Sequence, residues 1–595
     1  MSAQSLTSLL LLMSSIIVER QYEYDKLVKR ETIKSYYDYV IVGAGSAGSV
    51  VASRLSEKQS NGVLLLEAGD RETIVSTMPS QSDSLKDTPM DWNYTIVPQK
   101  FSCFGLNNRS MKWPRGRALG GTSAINRMAY LRGNPKDFDN WVHESGADGW
   151  QWSQVFKYFL RSEKQMDPLL ASNGYHATTG PLAVSTPPVV DVMTRQWVIA
   201  SNTLGYPIID LNGAHRRGTA ITQRNILYGR RQSSAEAYLL TNCWRKNLHI
   251  LANTLVTKVL FNDKKQAIGV EFTKNGIKQQ VYAKKEVILS AGVIGSAQLL
   301  LLSGVGPKKH LQDLNIPIIA NLPVGHNLHD QPRVYGIQFL TNSTFTNQAI
   351  TIESLTNYFI NGSGPLTQSE YSTTIYQSSY VHQTDWPDVQ LGLIPSSPAT
   401  RRTSGQSTGI RDDIWDVFYK PYTNKTQFSI SVILLRPKSR GSLRLKSSNP
   451  SDKPLLDPNY FADSQDLYTI AEGMQEAYRI ALSPSMAPFD VKPYQTIVPG
   501  CESDHNGNFM RPSLDYFRCL ARSLTSSAAH MVGTCKMGAI SDSSAVVDPK
   551  LRVKGISNLR VIDGSIMPSV VSANTHAAIV MIGEYGAEIV LKSSK

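Results

Sequence analysis

The segment from Tyr36 to Glu67 constrains the fold more than any other part of the chain. An apolar strand, YDYVIV, runs directly into Gly43, Gly45 and Gly48, a helix follows, and a second apolar strand ends at Glu67. In such a G-x-G-x-x-G turn the glycines permit a tight turn, a close approach to a pyrophosphate and close packing of helix on strand. Glu67 follows Gly48 by nineteen residues, where a carboxylate can accept a hydrogen bond from a ribose hydroxyl. The segment therefore predicts a Rossmann-like unit that binds NAD or FAD, and Glu67 disfavours NADP.

Composition limits the classes of protein that the chain can belong to. With 595 residues, of which 41% are hydrophobic and 18% charged, the chain is a globular protein of two or three domains. The net charge of +13 raises the question of nucleic-acid binding, but no dense basic block with interleaved aromatic residues is present, so we expect none. We interpret the short basic pairs as solvated loop charge: Arg216-Arg217, Arg230-Arg231 and Arg401-Arg402. The sequence contains neither a C-x-x-C nor an H-x-x-x-H spacing, so it predicts no metal site.

The N-terminus carries an apolar run from Leu6 to Val18. It is too short to span a bilayer and is typical of a secretory signal, which predicts a signal peptide over residues 1–18. The alternative is a disordered or buried apolar tail. We expect a secreted glycoprotein with no stable membrane insertion, in which Cys501 and Cys519 can form a disulfide. Five sequons support this expectation together: Asn93-Tyr94-Thr95, Asn108-Arg109-Ser110, Asn342-Ser343-Thr344, Asn361-Gly362-Ser363 and Asn424-Lys425-Thr426.

A second glycine-rich loop, GRALGGTSAIN, spans Gly116 to Asn126, and a third segment runs from Gly292 to Gly306. With the first glycine turn, these segments resemble, along nearly the whole chain, the glucose–methanol–choline (GMC) flavoprotein oxidoreductases, and most of all their arthropod glucose-dehydrogenase-like branch. The resemblance implies FAD as the cofactor and an alcohol-type substrate, a CH–OH donor, that is oxidised. Arg127 stands where relatives commonly have glycine and no histidine is near it, so we expect FAD to be held noncovalently.

The resemblance also implies a fold. It predicts an α/β FAD-binding Rossmann-like domain with a parallel sheet, and an α+β substrate domain with an antiparallel sheet, each discontinuous in sequence. Thr/Ser-rich alternating strands such as FSISVILLRP, from Phe428, are typical of the second domain. The predicted FAD-binding domain comprises residues 36–160, 245–330 and 540–595, and the predicted substrate domain comprises residues 161–244 and 331–539.

The family resemblance and the glycine motif together predict the residues that contact FAD. Val256 would contact the adenine through its backbone, and Asp563 and Gly564 would line the flavin. The predicted cofactor-binding residues are Gly43, Gly45, Ser46, Ala47, Gly48, Glu67, Ala68, Gly121, Thr122, Asn126, Met128, Ala129, Val256, Asp563, Gly564, Asn574 and Thr575.

Two residues near the C-terminus are the predicted catalytic pair. His530 opens HMVGTCKMG, which matches the family segment that begins with the catalytic histidine. Such a base would remove the hydroxyl proton while hydride leaves the carbon for flavin N5. Without that match, His530 would be interpreted as a structural residue. Asn574 would hydrogen-bond the substrate oxygen. His576 replaces a common asparagine and is open to three interpretations: a bystander, a second ligand of flavin or substrate, or a competing base.

Two other functions remain open at this point. One is an NAD-dependent dehydrogenase, which would leave the second glycine loop and the His530–Asn574 pair unused. The other is a hydroxynitrile lyase-like or non-redox flavin-binding relative. The sequence does not select among sugars, sterols, aromatic alcohols and cyanohydrins as substrates. The electron acceptor is oxygen or another acceptor, and a secreted enzyme favours oxygen.

Overall fold

The structure is a computed structural model that describes residues 3–28, 33–334, 336–343, 345, 350–368, 372–376, 386–401 and 409–593. Residues 1 and 2 of the predicted signal peptide and Thr344 of the third sequon lie outside the described residues. Within the described part of the chain, most strands join one of two sheets, a seven-stranded sheet and an eight-stranded sheet.

The seven-stranded sheet contains the predicted parallel Rossmann-like core. Its first strand, YYDYVIV, is almost continuously apolar and buried, as expected for a strand covered on both faces. The helix Ser46–Leu55 packs with the C-terminal helix His576–Ser593. The parallel strands are Leu248–Leu251, Val63–Leu66, Tyr36–Val42, Ile277–Leu289 and Leu559–Val561. An antiparallel extension, which the sequence did not predict, adds Ala267–Lys274 and Thr254–Phe261.

The eight-stranded sheet is antiparallel throughout, as predicted. The helix Ser464–Ala481 packs on the face that carries Val432. The main path, in spatial order, is Lys492–Pro493, Gln338–Leu340, Gln427–Leu434, Val389–Ile394, Ser372–Tyr376 and Gly218–Ile221. Pro332–Val334 pairs with Gln427–Leu434 and with Thr525–Ser527 beside this path.

Each strand of the two sheets lies within the ranges that were predicted for its domain, although the domain boundaries themselves stay a prediction. The other α-helices are Pro135–Ser145, Trp152–Ser162, Pro168–Ala171, Val192–Thr203, Ser234–Tyr238, Gly292–Leu302, Lys308–Asp313, Ile352–Asn361, Asp412–Ile414 and Leu514–Ser523. The two-stranded pairs are Tyr94–Thr95 with Lys112–Trp113, Glu163–Gln165 with Leu182–Val184, Ile226–Leu227 with Arg230–Arg231, and Ser442–Arg444 with Leu455–Asp457.

The N-terminal helix Ala3–Val28 contains the predicted signal segment and continues beyond it. Its C-terminal half belongs to the fold: Tyr24 is buried, and Arg20 forms ion pairs with Glu236 (2.5 Å) and with the buried Glu72 (3.7 Å). Among the described residues, no helix is both long enough and apolar enough to cross a membrane. A disulfide joins Cys501 to Cys519, with the Cα atoms 5.7 Å apart, which is a pairing that the sequence allows.

Candidate active site

A cavity of about 750 Å³ is lined by residues of both sheets. It brings together segments that are far apart in sequence, from the glycine turn to the C-terminal helix. Gly48 alone among the predicted site residues does not line it. The predicted residues that do line it are Gly43, Gly45, Ser46, Ala47, Glu67, Ala68, Gly121, Thr122, Asn126, Met128, Ala129, Val256, His530, Asp563, Gly564, Asn574 and Thr575.

Two glycines of the first turn are needed for different reasons, one for packing within the protein and one for access to the backbone. A Cβ on Gly48 would lie 1.8 Å from the carbonyl oxygen of Gly43, so the third glycine permits close packing of helix on strand, as the motif predicts. A Cβ on Gly45 would meet only the Cα of Gly121, at 3.8 Å, which is an ordinary contact. Gly45 also has a φ of −75°, which any residue adopts. The protein therefore leaves open space at Gly45, where a pyrophosphate needs close access to the backbone.

The Glu67 carboxylate holds the glycine turn. It accepts hydrogen bonds from the backbone amides of Ala44 (2.8 Å) and Gly69 (2.9 Å). Burial raises the pKa of Glu67, and these two amide donors oppose that shift. Each carboxylate oxygen can accept a further hydrogen bond, so Glu67 retains capacity for a ribose hydroxyl at the cavity wall.

The second glycine-rich loop is held by Arg231, a residue that sequence reasoning placed wrongly. Arg231 is 1% exposed and donates to the carbonyl of Ser123 (3.0 Å) and to Asn126 Oδ1 (2.9 Å). The solvated-loop interpretation is thus wrong for Arg231. It is also wrong for the buried Arg216, which donates to the Gly133 carbonyl. Each guanidinium meets carbonyl oxygens that an isolated basic pair in a sequence cannot reveal. The side chains of Arg401 and Arg402 lie outside the described part of the chain.

His530 is held in one tautomer by Gln331. The amide nitrogen of Gln331 donates to the carbonyls of Leu435 (2.7 Å) and Val571 (2.9 Å). The amide oxygen must then be the group that faces His530 Nδ1, at 2.5 Å. An amide oxygen only accepts, so Nδ1 carries the proton and Nε2 carries the lone pair. His530 therefore presents a proton acceptor at the cavity.

The electrostatic surroundings keep the His530 ring neutral. Burial lowers the pKa of His530 to about 3, and the charges of Arg115 and Arg333 act in the same direction. The buried carboxylate of Asp330 fixes the backbone of the same residue by accepting from the His530 amide at 2.9 Å. At neutral pH the ring is thus unprotonated and able to accept a proton. Gln331 and Asp330 directly precede Pro332, and no motif of the sequence singles them out.

Asn574 and His576 occupy different parts of the cavity wall. Asn574 Nδ2 donates to His530 Nε2 at 3.0 Å, and Asn574 Oδ1 is buried without a partner among the described residues. His576 begins the C-terminal helix, and its Nδ1 lies 3.1 Å from Ser46 Oγ of the glycine turn. Burial lowers the pKa of His576 to about 4, and its Nε2 has no partner in the described structure. Its hydrogen bond thus joins His576 to the glycine turn, whereas Asn574 is joined to His530.

These features fit FAD. The cavity has two glycine-rich loops, open space at Gly45, and two unpartnered buried polar atoms on Asn574 and His576. Asp563 is a structural anchor within it, since its carboxylate accepts from Gly292 N (2.9 Å) and Ser565 N (2.8 Å). Among the described residues, no group of three or more His, Cys, Asp or Glu residues forms a metal site.

Comparisons with known proteins agree with this site. The N-terminal GMC oxidoreductase family model matches residues 37–333, and the C-terminal GMC oxidoreductase model matches residues 437–583. The chain is 37% identical to glucose dehydrogenase [FAD, quinone] of Drosophila melanogaster, covering 94% of this chain and 87% of that protein. It is 36% identical to mitochondrial choline dehydrogenase of Mus musculus (94% and 90% covered) and 35% identical to ecdysone oxidase of Bombyx mori (93% and 82% covered).

Solved structures agree as well. Pyridoxine 4-oxidase from Mesorbium loti superposes with a TM-score of 0.78 at 28% identity, covering 93% of this chain and 98% of that one. Formate oxidase superposes with a TM-score of 0.80 at 25% identity, covering 94% and 99%. Nothing in these comparisons supports a hydroxynitrile lyase-like or non-redox protein, and the family match replaces the NAD-dependent alternative. The chain belongs to the GMC oxidoreductase family and is an FAD-dependent enzyme that acts on CH–OH donors.

Proposed function

We propose that the enzyme oxidises an alcohol with His530 Nε2 as the proton acceptor. The observation that carries this proposal is the fixed tautomer: Gln331 holds the proton on Nδ1, so the lone pair of Nε2 faces the cavity. FAD, when bound, supplies the acceptor for the hydride that leaves the same carbon.

Asn574 would orient the reacting hydroxyl. Its amide donates to Nε2 in the free enzyme, and a substrate oxygen that enters beside Nε2 can take over that donor. The hydroxyl proton then passes to Nε2, while Nδ1 keeps its hydrogen bond to Gln331. A neutral imidazole that is fixed in this way accepts the proton without changing its tautomer or its position.

The test is anaerobic reduction of the holoenzyme by a panel of alcohols, followed by flavin absorbance. We expect at least one alcohol class to bleach the flavin. His530→Ala should slow bleaching by roughly 10²–10⁴-fold, the usual contribution of a general base, with flavin content unchanged. Equal rates in the two proteins would remove His530 from this role. Turnover of a cyanohydrin without bleaching would favour the lyase.

We also propose that the protein is secreted and glycosylated. The sequon asparagines Asn108, Asn342, Asn361 and Asn424 are exposed, and the Cys501–Cys519 disulfide suits an oxidising compartment. Removal of residues 1–18 would leave Arg20 and Tyr24 in place. After expression in a secretory cell, we expect the protein in the culture medium. Its mass should fall on treatment with an N-glycosidase, and its first residue should precede Arg20. Retention in the cytosol would overturn the proposal.

Two finer points belong to the same proposal. We expect noncovalent FAD, which acid precipitation would release into the supernatant; flavin that stays with the pellet would overturn it. We expect oxygen as the electron acceptor, so alcohol turnover in air should form hydrogen peroxide. Rapid turnover with a soluble quinone and none with oxygen would instead define a dehydrogenase.

A further inference from the structure

One face of the eight-stranded sheet forms a wall of the active-site cavity, and it is mostly polar. In the strand Gln427–Leu434 side chains alternate between the two faces of the sheet. Ser429, Ser431 and Ile433 line the cavity, whereas Val432 and its like-facing neighbours lie in the hydrophobic core. The alternation of serine and isoleucine in this strand is therefore the sequence signature of a cavity-facing polar surface.

The strand register shows that this surface is continuous and reaches His530. Ser526 pairs with Arg333, which pairs with Ile433, which in turn pairs with Gln390. All four residues line the cavity. The strand that carries Ser526 ends at Ser527, three residues before His530. A molecule whose reacting carbon lies beside His530 therefore extends along this row of side chains.

Two polar groups on this surface have no partner in the described structure. Gln390 is 6% exposed and Ser431 is 3% exposed. Even so, neither Gln390 Oε1 nor Ser431 Oγ forms a hydrogen bond in the described structure. Their neighbours differ, because Ser429 Oγ donates to the Ser396 carbonyl at 2.6 Å. A buried polar atom without a partner destabilises the folded protein, because it has lost its hydrogen bonds to water. Such a cost is accepted at sites where a ligand provides the missing partner.

We propose that Gln390 and Ser431 recognise hydroxyl groups of a polyhydroxylated alcohol, a sugar or polyol, other than the hydroxyl that is oxidised. This inference rests on the proposed function. Gln390 Oε1 accepts from a hydroxyl, and Ser431 Oγ can donate or accept. The two residues are diagonal neighbours, whose Cβ atoms lie roughly 7 Å apart, so two hydroxyls of one sugar ring can reach both. Ile433, between them, packs against C–H groups of the ring.

Sterols with a single hydroxyl and simple aromatic alcohols lack these additional hydroxyls. Either would bury Gln390 and Ser431 against apolar surface and leave both polar atoms unpaired. A site that is built to bond a substrate hydroxyl discriminates strongly against the analogue that lacks it. The unpaired atoms therefore select for the polyol as well as against the apolar alcohol.

The first experiment compares substrates on the wild-type holoenzyme. Anaerobic flavin reduction is measured with aldohexoses and linear polyols, with benzyl alcohol, and with a sterol that has a single hydroxyl. We expect kcat/KM for the best polyol to exceed that for benzyl alcohol by at least 100-fold. A preference for benzyl alcohol or the sterol would overturn this inference and leave the proposed function intact. Failure of every alcohol to bleach the flavin would overturn both.

The second experiment removes the polar atoms at nearly constant volume. In Gln390→Met and Ser431→Ala we expect KM for the best polyol to rise about tenfold, with kcat within twofold and with KM for benzyl alcohol unchanged. Ser431→Thr, which keeps the hydroxyl, should restore most of the affinity. A deoxy sugar that lacks the recognised hydroxyl should bind the wild type and the variant equally. Equal losses for the polyol and benzyl alcohol would overturn the assignment.

Ser429→Ala is the matched control for stability, since it lies on the same strand and face but has a satisfied hydroxyl. Its melting temperature should fall because the hydrogen bond from Ser429 to the Ser396 carbonyl is lost. Ser431→Ala and Gln390→Met should keep or raise the melting temperature of the ligand-free protein, because each removes an unpaired buried group. A fall in these two variants that matches Ser429→Ala would identify a structural role and contradict the proposal.

Discussion

The two halves of the cavity are built in different ways. The half that is predicted to hold the dinucleotide, called here the backbone-built half, is formed mainly by glycine turns that Glu67 and Arg231 keep in place. The half above the reacting carbon consists of side chains that project from a sheet, such as Gln390 and Ser431. Backbone amides are the same in every protein, so the first half suits one constant cofactor. Side chains can change without altering the fold, so the second half is where we expect the substrate to be selected.

The largest effect should come from the backbone-built half. Gly48→Ala places a methyl group 1.8 Å from the Gly43 carbonyl oxygen, so we expect loss of soluble flavoprotein or a fall of several kcal/mol in the free energy of unfolding. Gly45→Ala meets nothing closer than 3.8 Å. It should leave the melting temperature of the apoprotein within about 2 °C and weaken FAD binding at least tenfold, measured by flavin fluorescence. Equal FAD affinity in Gly45→Ala and wild type would show that this space is not the pyrophosphate site.

The next effect lies where the two halves meet, at His530. Because the pKa of His530 is lowered to about 3, the ring is neutral above that value, and kcat/KM should be constant between pH 5 and 8. Gln331→Glu places a carboxylate beside Nδ1, which raises the pKa of His530 and moves the acid limb of the pH–rate profile upward. Gln331→Met should lower kcat about tenfold or more without moving KM, since the tautomer is no longer fixed. A flat profile in Gln331→Glu would contradict the hydrogen bond.

A smaller effect should come from the ion pairs of Arg20 with Glu72 and Glu236, and it concerns the stability of the protein. Arg20→Met removes the cation that forms ion pairs with the buried Glu72 and with Glu236, and we expect a loss of about 2–3 kcal/mol in the free energy of unfolding. Burial raises the pKa of Glu72 to about 7, above its unfolded value. The contribution of Glu72 to stability is therefore present at acidic pH and lost as pH rises through 7. Chemical denaturation at pH 6 and 8 should show a larger difference in Arg20→Met than in wild type.

The smallest effect comes from His576, a side chain that lies beside the glycine turn. It contacts Ser46 in the turn that is predicted to bind FAD, so His576→Asn should weaken FAD binding by about threefold to tenfold, the worth of one hydrogen bond. The rate of flavin reduction should stay within twofold of wild type. A drop in that rate comparable to His530→Ala would instead identify His576 as a competing base.

The same division explains what the sequence could predict. The glycine turn and Glu67 follow one another within a single βαβ unit, so their pattern is local and readable. Gln331 and Arg231 act through contacts with residues about 100 or more positions away, which no local pattern encodes. The serine–isoleucine alternation from Phe428 indicated a strand, but only the fold shows which face of it meets the cavity. Arg231 was misread for the same reason.

The seven-stranded sheet is completed by a strand near the C-terminus, and this has a consequence for how the enzyme folds in the cell. Leu559–Val561 completes the parallel core beside Ile277–Leu289, and His576 meets Ser46 across 530 residues. Contacts of such long separation form late and slowly, since the intervening chain must first be ordered. The cofactor site is therefore complete only after the last strand and helix have left the ribosome. A nascent chain that is truncated before Leu559 should not retain FAD, and flavin supply can limit the yield of folded enzyme only after synthesis ends.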